Sequence, residues 1–181
     1  MTSKRIYVIT GGPGVGKTTV IDELKKHGFV VVEECARTII KEELEKGTNV
    51  LPWDDLKTFQ ERVSKRQIEM EEAVTENEFF VDRGVVDGLA YLRIGSLPSN
   101  ETIEKMGRNR YSKVFVLDKL PFYQNDSERR ENQEGQKIIH DAICAVYNDF
   151  GYKIIQVPFG TPEQRVNFIK QKILPNVLPK A

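Results

Sequence analysis

The sequence predicts a doubly wound α/β fold, a five-stranded parallel sheet with helices on both faces, as one domain over residues 1–181. Three observations predict it. Five short apolar runs alternate with stretches of helical periodicity. The runs are near-continuous in Val, Ile and Phe, as strands covered on both faces are, instead of alternating apolar with polar. The 181 residues suit one domain, and no repeat, low-complexity tract or linker divides them.

Taken in order, Arg5–Thr10 (RIYVIT) is the first strand and stops at glycine. A helix follows over 18–27, ended by Gly28. A second strand is expected over 29–33 (FVVVE), then a helix from Glu34 to about Gly47. Pro52 and Trp53 open a long, charge-rich helix reaching about Thr75. Glu78–Asp82 (EFFVD) is the third strand, with a helix from about Val85. Residues 95–109, holding Gly95, Pro98, Ser99 and Asn100, read as loop around one short helix. Lys113–Leu117 (KVFVL) is the fourth strand. Residues 119–135 are polar without apolar periodicity and are expected as a mobile segment, with a helix over 138–150 behind them. The fifth strand is 153–157 (KIIQV). Thr161, Pro162 and Gln164 then supply a cap, a first-turn proline and a capping box for a last helix, which reaches about Leu174 before Pro175.

Composition excludes several classes. A hydrophobic fraction of 39% and a charged fraction of 30% are ordinary for a soluble chain. Lys+Arg and Asp+Glu balance at 27 each, which argues against nucleic acid as the main partner while leaving room for a local phosphate site. Cys35 and Cys144 fit neither a disulfide framework nor a zinc motif and are expected as reduced, buried thiols. No apolar run is long enough to span a membrane, and the residues from Met1 lead straight into a strand with no signal-peptide pattern. The expected location is the cytoplasm, as a monomer or homodimer.

The loop after the first strand carries the firmest chemistry. Gly11-Gly12-Pro13-Gly14-Val15-Gly16-Lys17-Thr18 fits G-x-x-x-x-G-K-[ST], between an apolar strand and a helix as that motif requires. Glycines let consecutive N–H groups turn inward around phosphates, and the helix N-terminus adds its positive dipole end. Gly11 through Thr19 are therefore expected to bind a nucleoside triphosphate, with Lys17 on the β- and γ-phosphates and Thr18 on Mg²⁺.

Ligands of an open α/β sheet sit beyond the carboxyl ends of its strands. The second strand delivers Glu33 and Glu34 there, pointing to opposite faces. Glu34 is favoured for the ligand side because Arg37 follows three residues later, on one helix face. Such a carboxylate would receive a hydroxyl acceptor and take its proton. Asp82, ending the third strand, is expected on the magnesium side. Arg83 is expected near the phosphates, and Asp87 one turn on is a further candidate on the acceptor side. Asp126, Arg129, Arg130 and Glu131 lie in the segment where small-molecule kinases often carry a lid, here about 119–135, with Arg129 closing on the transferred phosphoryl group. Pro158, after the fifth strand, is expected beside the nucleobase; Phe159 serves that pocket or the core equally well. No N-K-x-D guanine motif occurs, so ATP is favoured and GTP stays open.

Taken together, the P-loop, Glu34-x-x-Arg37, Gln67, Asp82-Arg83, Asp126-x-x-Arg129-x-Glu131 and Val157-Pro158 ahead of Arg165 resemble an AAA-type predicted ATPase/kinase family related to the nicotinamide riboside kinase domain of NadR. The resemblance covers nearly the whole chain, and the Glu-x-x-Arg and Asp-x-x-Arg-x-Glu spacings carry most of its weight. It implies a P-loop NTPase fold with a lid, akin to nucleoside and nucleotide kinases, with Glu34, Arg37 and Asp82 toward the acceptor and Arg129 toward the triphosphate. It does not extend to a second domain such as the adenylyltransferase of full-length NadR.

The function expected is an ATP- and Mg²⁺-dependent phosphotransferase acting on a nucleoside- or nucleotide-like acceptor. The alternative is a regulatory NTPase that binds ATP or GTP and passes a signal to a protein or lipid partner. A mechanical ATPase fits less well, because the third strand ends in a single acid, Asp82, and not an Asp-Glu pair.

Overall fold

Branched and aromatic side chains that cannot all face water are the reason the five runs become strands, and they cover both faces of one sheet. The structure, a computed structural model, describes residues 4–119 and 127–174, with the backbone alone over 127–133. Strands β1 (Arg5–Thr10), β2 (Val31–Val32), β3 (Glu78–Asp82), β4 (Lys113–Leu117) and β5 (Ile154–Val157) pair in the order β2-β3-β1-β4-β5, every pair parallel. The helices are α1 (Lys17–Lys26), α2 (Ala36–Lys46), α3 (Leu56–Ala73), α4 (Asp87–Ile94), α5 (Glu101–Gly107), α6 (Ser127–Asp149) and α7 (Pro162–Ile173).

Alternation along β1 divides the core. Tyr7 and Ile9 point to one face, where Val20, Ile21 and Leu24 of α1 pack with Val166 and Ile169 of α7. Ile6 and Val8 point to the other, against Ile68 of α3, Leu89 and Leu92 of α4, Ile103 of α5 and Ile143 of α6. A smaller cluster of Cys35, Ile39 and Phe59 joins α2 to α3.

The expected elements appear, with several shifts in their bounds. The second strand shrinks to Val31–Val32, because β2 is an edge with β3 as its one neighbour. Phe29 turns to pack edge-on against Phe80, ring centroids 5.2 Å apart, and Glu33 is exposed and paired with Lys25. The long helix opens at Leu56, not at Pro52 and Trp53. Asp55 is its cap and accepts the Thr58 N–H at 3.1 Å, while Pro52 and Trp53 sit in the preceding turn. The helix expected from Val85 starts at Asp87, after a turn closed by the Asp87 N–H on the Gly84 carbonyl. Finally, α6 begins at Ser127, well before residue 138, so the back of the expected mobile segment is helical. Its Glu, Arg and Gln residues favour helix without any apolar stripe. Residues 120–126 of the lid, with Tyr123 and Asp126, lie outside the described residues, as does the side chain of Arg129. The capping box at Thr161 and Gln164 forms as expected. Both cysteines are free, Cys35 buried and Cys144 half-buried. No helix among the described residues is long and apolar enough to cross a membrane.

Candidate active site

The loop from Gly11 turns on glycines that left-handed backbone demands. Gly11, Gly14 and Gly16 take φ of 134°, 74° and 82°, values an L side chain resists. Gly16 caps α1, which has no side-chain cap and no acid in its first turn, so its first N–H groups face outward unclaimed by any capping side chain. Lys17 Nζ folds back and donates to the carbonyls of Gly11 and Gly12, each at 3.0 Å. Burial pushes its ammonium down to about 8; Arg83 pushes the same way, against Asp82, Asp87 and Glu34. Thr18 and Thr19 are exposed beside it, and the Thr19 hydroxyl donates to the Gly16 carbonyl at 2.8 Å.

Two side chains from distant parts of the chain hold the loop. Arg165 of α7 is buried, donating from Nη1 to the Val15 carbonyl at 2.6 Å and from Nη2 to the Asp118 carbonyl at 2.9 Å. His140 of α6 accepts the Gly12 N–H at Nδ1, 3.3 Å away. Pro158 and Phe159 are exposed after β5, with the Arg165 guanidinium 5.9 Å from the Phe159 ring centre, so Phe159 is not core.

A cavity of about 200 Å³ opens beyond the ends of β2 and β3. That is room for roughly a dozen water-sized groups, the scale of a small organic molecule and not of a lone ion. Glu34, Arg37, Asp82, Arg83 and Asp87 stand at its polar end; Ile40, Phe59 and Val63 line its apolar side. Arg83 adopts φ 67°, a left-handed value for a non-glycine residue, and its N–H bonds the Ile9 carbonyl at 3.0 Å. That kink sends its side chain along the cavity wall. Nη1 donates to the Tyr91 hydroxyl at 2.9 Å, and Nε lies 3.3 Å from Glu34 Oε1, an ion pair without hydrogen-bond alignment.

Glu34 and Arg37 do not share a helix face, because α2 starts only at Ala36 and Glu34 precedes it outside the helix. Glu34 pairs with Arg83 instead, and Arg37 is exposed with no ion pair among the described residues. Asp87 lines the cavity but is buried, and both its oxygens are taken. Oδ1 accepts from Thr10 at 2.8 Å and Oδ2 from the Gly84 N–H at 3.0 Å. Burial pushes its carboxyl up to about 6, against Arg83 and these donors. It thus ties the end of β1 to the loop that holds Arg83.

Asp82 differs. Its Oδ1 is buried and has no protein partner, and burial raises its carboxyl against the pull of Arg83 and Lys17. An orphan carboxylate oxygen and an exposed Thr18 hydroxyl are the hard oxygen donors that Mg²⁺ takes alongside phosphate. Among the described residues no three His, Cys, Asp or Glu side chains gather, so no all-protein cage competes with that arrangement.

Apart from Gln67, which entered only through the family resemblance, sequence reasoning missed the α3 wall. Gln60, Ser64, Gln67 and Glu71 are all buried, and their spacing of four, three and four puts them on one face of α3. A polar stripe on the inward face of a helix was the legible signal. Gln60, Ser64 and Gln67 line the cavity. Glu71 lies behind them, accepting from Gln67 Nε2 at 3.1 Å, Tyr111 at 3.1 Å and Arg110 Nε at 2.5 Å. The Tyr111 hydroxyl also accepts the Val85 N–H at 2.7 Å, so this hub fixes the loop after Asp82 from behind.

The parallel order with β1 central, the glycine loop running into α1 and the acids ending neighbouring strands define a P-loop NTPase fold of the nucleoside and nucleotide kinase type. The AAA domain model (AAA_28) matches residues 6–165, and the chain belongs to that family. NadR protein in complex with NR is similar in structure at a TM-score of 0.61 and 16% identity, over 98% of this chain and 53% of NadR. The chain therefore spans about half the length of that protein. Deoxyadenosine kinase from M. mycoides matches at a TM-score of 0.59 and 15% identity, over 93% of this chain and 98% of the kinase. Thymidylate kinase from Ehrlichia chaffeensis matches at 0.62 and 12% identity, over 94% and 99%. No curated protein matches the chain in sequence.

Proposed function

We infer that the protein is an ATP- and Mg²⁺-dependent phosphotransferase whose acceptor is a nucleoside- or nucleotide-like molecule, working in the cytoplasm, with residues 1–181 as one kinase-like domain. The observation that carries this reading is the Glu34–Arg83 pair at the cavity, beyond the same carboxyl ends of the strands as the P-loop. A carboxylate set beside a guanidinium at the rim of a cavity is placed to meet a hydroxyl and take its proton. The kinship of fold with nucleoside and nucleotide kinases supports the reading.

In this reading the apolar and amide groups of α3 hold the body of the acceptor, and Glu34 meets its hydroxyl. The hydroxyl oxygen attacks the γ-phosphorus, the bond to the β–γ bridging oxygen breaks, and Glu34 takes the proton. Lys17 and the α1 N–H groups hold the phosphates in line, and Arg129 is proposed to close on the transferred group. Thr18 and Asp82 would hold Mg²⁺, which neutralises charge on the phosphates when bound. Pro158 lies on the proposed nucleobase side, and Arg37 at the outer edge of the acceptor. Asp87 acts through Arg83 and the Gly84 loop.

An acceptor screen coupled to ADP release tests this directly. One or more nucleosides or nucleotides should raise ATP turnover well above the rate without acceptor. Background turnover with every acceptor, together with tight nucleotide binding, would overturn the kinase reading.

A further inference from the structure

One buried titratable side chain outside the cavity bonds the P-loop itself. His140 on α6 is buried, and its Nδ1 faces the Gly12 N–H at 3.3 Å. The packing there is close. A Cβ on Gly12 would stand 2.9 Å from the Gln136 carbonyl oxygen and 3.0 Å from His140 Cβ, and one on Gly14 would stand 3.5 Å from Gln136 Oε1. Two residues four apart on one face of α6 thus cover two glycines of the loop.

The chemistry of that bond is one-sided. An amide N–H is satisfied only by an imidazole nitrogen that carries no proton, so the ring must be neutral with its hydrogen on Nε2. Protonated, it would turn N–H toward N–H in a buried place. Burial, then Lys119 of the β4 end and Lys17 of α1, favour the neutral ring, against Asp141 of α6 and Asp118 of the β4 end. Arg165 holds the same loop three residues further on, at the Val15 carbonyl.

We propose that His140 is a positioning residue for the nucleotide: in its neutral form it fixes the Gly12 peptide and with it the phosphate cradle. The proposal rests on reading the P-loop as a triphosphate site. His140 touches backbone and not nucleotide, so its loss degrades binding through loop geometry.

Two variants separate this role from mere packing. His140→Asn places an amide oxygen about where Nδ1 stands and does not titrate between pH 5 and 8. His140→Phe keeps a ring but leaves the Gly12 N–H buried and unpaired. Calorimetry with Mg²⁺ and a non-hydrolysable ATP analogue, from pH 7.5 to 5, gives the readout. At pH 7.5 the Phe variant should bind about tenfold more weakly and the Asn variant within about threefold of wild type. Toward pH 5 the wild type should lose affinity more steeply than the Asn variant. Asp87 and the phosphates titrate in both proteins and cancel in that comparison. Wild-type affinity in the Phe variant, or an equal acid loss in the Asn variant, overturns the proposal. If the Phe variant does not fold, the pH comparison decides alone. Imidazole nitrogen NMR of the free protein is a second readout, and a hydrogen on Nδ1 at neutral pH would also overturn it. A wild type that binds no nucleotide overturns the P-loop reading instead, so the two failures are distinct.

Discussion

At Lys17 two influences compete: burial strips water from the ammonium, and the surrounding carboxylates return only part of what is lost. With its proton leaving at about 8, the residue is charged at neutral pH and loses that charge within the reach of ordinary buffers. A triphosphate binds the charged form, so affinity is full below that value and falls as pH rises through it. Calorimetry from pH 7 to 9.5 should show up to about a tenfold loss per unit above 8, with proton uptake on binding. Lys17→Ala should bind weakly and show no such slope. Glu34→Gln tests the other half of the site. It should leave nucleotide affinity within about twofold and lower acceptor turnover by roughly 10²–10⁴, the usual worth of a general base. Equal loss of both quantities would assign Glu34 to folding.

At the scale of elements, the loop from Asp82 to Asp87 is held on two sides, by Asp87 toward β1 and by the Tyr111–Glu71 hub toward α3. Tyr111→Phe removes one hydroxyl that serves two partners, leaving the Val85 N–H buried without an acceptor. The expected cost is about 1–3 kcal/mol, read as a lower midpoint in urea at unchanged slope. The strands and the P-loop were legible in the sequence because their signals are local: apolar runs, glycines at fixed offsets, a cap three residues before its partner. The partner of Glu34 was not. The Arg37 spacing suggested a pair, but the helix starts two residues later than that argument needs, and Arg83 arrives from another strand. Asp87 was legible as important but not as occupied, since Thr10 and Gly84 reach it through tertiary packing. The early start of α6 was hidden for another reason, because a helix made by propensity alone shows no apolar stripe.

Across the whole molecule, the sheet divides labour between its faces. The face built on α1 and α7 lies behind the glycine loop, which α6 covers from the other face, and α3 and α4 on that other face wall the cavity. Thr10 follows Ile6 and Val8 in the alternation of β1, and on that face its bond to Asp87 joins β1, the glycine loop and the Arg83 loop into one continuous plate. The opposite wall of the cavity is fastened differently. Between α2 and α3 the buried apolar side chains are Cys35, Ile39 and Phe59, far fewer than either main core holds. Local opening follows the least apolar burial. Amide hydrogens of α2 should therefore exchange with deuterium before those of α1, α4 and α7, and a bound acceptor should slow α2 more than any of these. Entry and exit of the acceptor would then run on the clock of one loosely stapled helix, while the phosphate side stays assembled between turnovers.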